Sequence, residues 1–410
     1  MKFDTSDFLF LNFYLIQSVR RPAFSVIVLS VREKTGVIIS FYIFYIFMFT
    51  RIGNLRPKFW TLFLYVLIST FVLSSCNKDD ENILEGEYAQ GYLVVNEGVF
   101  GQNNSSVTHV SENNVVTQEV FQTVSGEILG DNLQSISILG DEAYLMVSNS
   151  NKIEVVHRGT FVKNTTITGD FANPRYMADI GNNKAYISTW GNFDDILGKI
   201  LVLDTQTEQI ISTIEAGSGA ENLIFDSKTN KVFIANSFGT SVSVYNTSNN
   251  TLETTIDFSP NSPNQMVLDK NGDLWVTTRA TDFSTYTSPT GNLYKINTAT
   301  NEIETTISLN AGSENVGGKL AINPNKDILY YNFSSGIYEL PITATAQATT
   351  PLILNGAYGL SVNPKNGDIW VGTANFQTLE GNEELHYDKN GNLQNTFATG
   401  AAPNQVIFLP

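Results

Sequence analysis

From residue 92 onward the chain is written in short runs that alternate apolar and polar positions, each run closed by Asn, Asp, Lys or Gly. The pattern recurs in NPRYMADIGNNKAYIST (173–189), AENLIFDSKTNKVFIANS (220–237), SPNQMVLDKNGDLWVTT (262–278), GGKLAINPNKDILYYN (317–332) and AYGLSVNPKNGDIWVGT (357–373). A period of two over such runs, bounded by turn residues, predicts β-strands joined as hairpins. Asn and Gly suit the turns because they tolerate the positive φ that tight hairpins need. In the second strand of each pair one large residue recurs. Tyr92, Tyr144, Tyr186, Phe233, Trp275, Leu329 and Trp370 stand 41 to 54 residues apart, about 46 on average. Each unit continues with two more runs, as in KILVLDTQTEQIISTIEAG (199–217), SVSVYNTSNNTLETTIDF (241–258) and NLYKINTATNEIETTISL (292–309). Four strands in a repeat of this length describe one blade of a β-propeller. No helical period of useful length occurs after residue 85.

The ends of the series fit each other. The chain finishes on APNQVIFLP (402–410), which matches the opening strand of SPNQMVLD and has no second strand after it. The first repeat, from Tyr92, has later strands but lacks an opening one. Joining the two completes a blade and removes the exposed edges of an open ring. The predicted fold is therefore all-β, a seven-bladed propeller over residues 91–410 whose first blade is closed by the C-terminal strand.

The region before the propeller has a different character. Residues 1–75 carry 8 Lys/Arg and 3 Asp/Glu, so of the chain's 24 basic and 40 acidic residues the remainder holds 16 and 37, a balance of −21. A body that acidic offers no footprint for a phosphate backbone, which argues against nucleic acid as a partner. In residues 48–75 the cations Arg51, Arg56 and Lys58 precede an apolar run, Phe59 to Leu73, and then Ser74-Ser75-Cys76. This is the layout of a secretory signal. Leu73-Ser74-Ser75-Cys76 resembles the bacterial lipobox, in which the cysteine is acylated and becomes the mature N-terminus; Cys76 is the chain's only cysteine. Residues 76–90 read as the tether, and Asn77-Lys78-Asp79-Asp80-Glu81 is similar to the surface-export tag of lipoproteins in the Bacteroidota. Residues 1–47 contain only two short apolar stretches, Ala23–Val31 and Val37–Phe47, and read as an over-extended N-terminus or an extra membrane segment.

In a propeller the first strands line a central channel, and the loops entering them share a rim with the loops that leave the second strands. The entries place Asn132, Gln134, Arg175, Asn222, Asn264, Gln265, Lys319, Tyr358 and Asn404 there. The loops leaving second strands carry Phe100, Trp190, Phe193, Phe238, Phe283, Tyr286, Phe333 and Phe376, in six of the seven loops. Surface loops need few rings, and rings around converging polar groups are the usual lining of a ligand pocket. Packing between blades and a protein-docking face are the other readings. Of the three arginines after residue 76, Arg175 and Arg279 fall at this rim, where they would suit a ligand phosphate or carboxylate, and Arg158 does not. The candidate ligand-binding residues are therefore Asn132, Gln134, Arg175, Trp190, Phe193, Asn222, Phe238, Asn264, Arg279, Phe333, Tyr358, Phe376 and Asn404.

No catalytic set stands out. His109, His157 and His386 fall on or beside outer strands, and three scattered histidines with one cysteine argue against a metal site. Asp269-Lys270-Asn271-Gly272-Asp273 is superficially like a Ca²⁺ loop but lies on the repeated hairpin turn and lacks the downstream bidentate Glu, so it reads as a turn.

The phrase VVNEGVFGQNNSSVTHV (94–110), directly after a lipoprotein tether, resembles the opening blade of YncE-like propeller lipoproteins of the Bacteroidota, and NKAYIST…GKILVLDTQTEQIISTIEAG is similar to their repeat. The resemblance covers about residues 90–410. Members include surface proteins that capture cobalamin and pass it to a TonB-dependent outer-membrane transporter. It implies a monomeric lipoprotein on the outer membrane, facing the exterior, that binds a bulky nutrient such as cobalamin or another corrinoid, with no cofactor and no catalysis. A surface protein-interaction scaffold, and a propeller enzyme of lactonase or lyase type, are the alternatives. Cobalamin-contacting positions of those proteins do not map residue by residue onto this sequence.

Overall fold

The computed structural model describes residues 85–409, except 193–196, 283 and 377–380, and the backbone of three strands between residues 12 and 45. The chain divides into two compact units, residues 1–81 and 82–410. In the first, Asn12–Leu15, Ser25–Arg32 and Ile38–Tyr45 form an antiparallel meander. The signal read over 48–75, the lipidation site Cys76 and most of the tether lie outside the described residues.

The second unit is a ring of seven antiparallel sheets, the seven-bladed propeller expected from the repeats. Blade 2 runs Leu133–Leu139, Glu142–Val147, Lys152–His157 and Lys163–Ile167 from the channel outward. Blades 3, 4 and 5 follow the same order, their first strands being Pro174–Gly181, Ala220–Asp226 and Ser262–Leu268. Blade 7 begins at Gly359–Val362. The C-terminal strand Pro403–Phe408 then pairs antiparallel with Tyr92–Asn96, Val406 opposite Val94 and Phe408 opposite Tyr92, so blade 1 takes its innermost strand from the end of the chain.

Two features depart from a uniform repeat. Blade 6 has three strands, Val316–Ile322, Ile328–Phe333 and Gly336–Pro341, where four were expected. Its outer edge is blunted by Pro341, which has no N–H to donate, and by an isolated bridge from Ile337 to Ile353. In addition, one short helix, Val120–Ser125, buries Val120 and Phe121 against blades 1 and 2.

The turns follow the expected chemistry. Asn182 and Asn183, Asn230, Asn250, Asn301 and Gly272 all have positive φ at hairpin tips. In the 269–273 segment the Asp269 carboxylate accepts from the backbone N–H of Asn271 (2.8 Å) and Asp273 (3.1 Å) and from Trp275 Nε1 (3.0 Å), so it organises a turn.

The recurring large residues do the packing between blades. Tyr144, Tyr186, Phe233, Trp275, Leu329 and Trp370 are fully or almost fully buried, each in a hydrophobic cluster shared with a neighbouring sheet. Burying one such side chain contributes roughly 1.5–3 kcal/mol. Together these clusters fix the spacing of the first strands around the channel.

Candidate functional site

Antiparallel pairing determines which loops meet. Ser262 opens the first strand of blade 5 and lies opposite Arg279 near the end of the second; Pro174 is opposite Thr189 and Val316 opposite Phe333 in the same way. Entries to first strands and exits from second strands therefore share one rim. At that rim lies a cavity of about 470 Å³ lined by residues of all seven blades.

Eight of the candidate residues line it: Gln134, Arg175, Trp190, Phe238, Asn264, Arg279, Tyr358 and Asn404. Three lie just behind or beside it. Asn132 donates from Nδ2 to Glu97 Oε1 (3.1 Å), Phe376 packs edge-on against the Tyr358 ring (5.3 Å between centroids), and Asn222 lines a narrower space of about 160 Å³ together with Gln265 and Asn404. Phe193 lies outside the described residues, as does Phe283. Phe333 is not at the cavity. It is 4% exposed and packs against Tyr331 and Tyr338 in the core that blade 6 shares with blade 5. The reason is local: Phe333 pairs directly with Gly336 across the two-residue turn Ser334–Ser335, so it belongs to a strand and follows the strand's inward face.

Several polar entry residues stitch the first strands together. Neighbouring first strands belong to separate sheets, so side chains bridge them at the channel. Asn222 Oδ1 accepts from Met266 N (3.1 Å), Gln265 Oε1 from Leu320 N (3.0 Å), and Ser361 Oγ from Val406 N (2.9 Å). Asn404 Nδ2 donates to the Gln134 carbonyl (3.2 Å) and Ser135 Oγ to the Arg175 carbonyl (2.6 Å). For Asn222 and Asn404 the amide is thus at least partly structural.

Electrostatics are set by two carboxylates that the sequence did not single out, Glu97 and Glu221. Arg175 was expected to meet a ligand anion. Instead its guanidinium holds Glu221 in a two-point pair, Nε to Oε2 at 2.8 Å and Nη2 to Oε1 at 3.0 Å, with Nη1 on Ser148 Oγ (3.1 Å). The same guanidinium lies 3.5 Å over the Trp190 ring, and Trp190 leans on Phe238 at 4.7 Å. Gln134 Nε2 bonds the Tyr176 hydroxyl (2.9 Å) and reaches Glu221 Oε1 at 3.4 Å. Across the cavity the Tyr358 hydroxyl donates to Glu97 Oε2, and burial followed by that carboxylate drives the phenol's pKa up. Both acids are therefore engaged.

The remaining cations are not matched in this way. Lys319 Nζ donates to Asn404 Oδ1 (2.6 Å) but forms no ion pair among the described residues; burial pulls its pKa down to about 8, against the opposing pull of Glu97 and Glu221. Arg279 makes neither a side-chain hydrogen bond nor an ion pair among the described residues, and burial lowers its pKa, with Glu221 opposing. Three further polar atoms of wall residues, Trp190 Nε1, Gln134 Oε1 and Ser237 Oγ, are buried with no hydrogen-bond partner among the described residues. No group of three or more His, Cys, Asp or Glu among the described residues is placed to hold a metal ion.

Fold and site together define a seven-bladed β-propeller with a polar, aromatic-lined cavity at one rim. Residues 90–397 match the family model described as Domain of unknown function (DUF5074), and the chain belongs to that family. No curated protein matches it. Among solved structures it is similar to Kuenenia stuttgartiensis hydrazine synthase, at 13% identity and a TM-score of 0.50, over 69% of this chain and 92% of that one. It is also similar to a functionally unknown protein from Desulfotomaculum acetoxidans DSM 771, at 11% identity and a TM-score of 0.57, over 78% of this chain and 98% of that one. At such identities the likeness is one of fold.

Proposed function

We propose that this protein is a lipid-anchored binding protein of the outer membrane, held through Cys76 and facing the exterior, which captures a bulky nutrient at the propeller rim. A corrinoid such as cobalamin fits the chemistry best, with delivery to a TonB-dependent transporter as the next step. The observation that carries this reading is the rim cavity. It lies within the size range of small-molecule sites, and it combines the Trp190 and Phe238 rings with the Asn264 amide and the unpartnered Trp190 Nε1 and Gln134 Oε1. A corrinoid offers a broad apolar ring rimmed by amides, and part of it would enter the cavity while the rest stayed above it.

Binding is favoured over catalysis because Glu97 and Glu221, the two carboxylates on the cavity wall, are both committed to other side chains, so neither stands ready as an acid or base. Docking to a protein has its own support. Phe100, Phe238, Tyr286 and Phe376 belong to loops of this rim and are 46–83% exposed, which suits a surface that meets a transporter.

The test is calorimetric titration of cobalamin and cobinamide into the purified full-length chain. Saturable binding of either is expected, and absence of heat from both would remove the corrinoid assignment. In the same cells, Cys76→Ala should release the protein from the membrane fraction, because two or three acyl chains account for the anchoring. A variant that stays membrane-bound would contradict the lipid anchor.

A further inference from the structure

Charge within the cavity is unevenly distributed. Glu221 is neutralised by Arg175, and Glu97 is held by Tyr358 and Asn132. Arg279 and Lys319 line the same cavity, and neither has a carboxylate partner among the described residues. Burial disfavours the charge of both, and Arg279 adds to what disfavours the charge of Lys319. A guanidinium cannot escape this by losing its proton. Two withdrawn cations lining one cavity cost free energy to the extent that Glu97 and Glu221, already engaged elsewhere, do not offset them. They persist here in a chain whose propeller region is otherwise strongly acidic.

We infer that Arg279 and Lys319 form an anion subsite in the rim cavity, taking a carboxylate or phosphate group of the ligand while Trp190 and Phe238 hold its apolar part. The guanidinium of Arg279 supplies a planar fork that carboxylates and phosphates accept at two points, and Lys319 adds a point charge steadied by Asn404. The subsite rests on the reading of the rim cavity as a ligand site and deepens it. In cobalamin the matching group is the phosphodiester, which cobinamide lacks.

The experiment is thermal melting of the full-length chain in sodium phosphate and in sodium succinate, each against sodium chloride at equal ionic strength, for the wild type, Arg279→Gln and Lys319→Met. The wild type should melt higher in at least one of the two anions, and whichever acts shows whether phosphate or carboxylate is preferred. Both variants should lose most of that shift, with apparent affinity falling at least tenfold. Lys319→Met keeps the test valid where Arg279→Gln fails to fold. A wild type that melts alike in all three salts, or variants that respond like the wild type, would overturn the subsite. The two readings fail separately. If cobalamin binds while both variants retain its full affinity, the subsite falls and the cavity stands. If the anions bind and no corrinoid does, the subsite stands and the corrinoid assignment falls.

Discussion

Deleting residues 401–410 is expected to destroy the propeller or leave it melting roughly 10 °C or more below the parent. The deleted strand is the innermost of blade 1 and pairs along Tyr92–Asn96. It buries Val406 and Leu409, each 4% exposed, whose removal alone costs about 1.5–3 kcal/mol apiece. It also takes away Asn404, which bonds the Gln134 carbonyl on one side and Lys319 on the other, and so unpicks blade 1 from blade 2 and blade 6 at the channel. In a chain of this size about 1 kcal/mol moves the melting point by roughly 2–4 °C. The newly exposed edge of Tyr92–Asn96 would add a tendency to aggregate. Melting and sedimentation of the truncated protein decide the point, and a truncation as soluble and stable as the parent would contradict closure by the C-terminal strand.

Glu221→Ala is expected to cost about 3–5 kcal/mol of stability, the usual range when one partner of a buried ion pair is removed. The side chains of Arg175 and Glu221 are only 6% and 10% exposed. Without the carboxylate, Arg175, Arg279 and Lys319 would face one cavity with Glu97 as the sole acid on its wall. Glu221→Gln, which keeps an acceptor for Arg175, should lose less. Urea unfolding of both variants measures the difference. Equal, small losses would mean that the pair is well solvated and does not organise the cavity.

The fold was legible because its signals are local. Asn and Gly at hairpin tips, the alternation within strands and one large residue per blade each report on a few neighbouring positions, and Tyr186, Phe233 and Trp275 sit where that spacing puts them. Blade 6 departs from the repeat because Pro341 closes its outer edge, so no fourth strand is added.

The site was legible in part. Gln134 and Asn264 face the cavity because alternation along a first strand fixes which residues point at the channel, and Tyr358 reaches it from the loop that enters blade 7. Glu97 and Glu221 were not visible as site residues, since their importance comes from Tyr358 and Arg175, which are 261 and 46 residues away in sequence. For the same reason Arg175 looked free when it is committed, and Arg279 is the rim arginine that has no ion pair among the described residues. Phe333 misled because a two-residue turn and a long loop read alike when only the aromatic is considered. Phe238 follows a similar motif but stays half exposed beside Trp190.

The central claim is that the rim cavity binds a ligand through Trp190 and its neighbours. It is tested most directly by titrating cobalamin calorimetrically into the wild type and Trp190→Ala, with a thermal melt of each. Trp190 bridges the Arg175 guanidinium and the Phe238 ring at the cavity wall and is only half-buried. Truncating a contact aromatic at a binding hot spot costs about 2 kcal/mol or more, so affinity should fall roughly thirtyfold while the melting temperature changes by a few degrees. Unchanged affinity together with a stability loss of about 3–5 kcal/mol, the cost of emptying a packed core position, would show Trp190 to be packing between blades and would contradict the site.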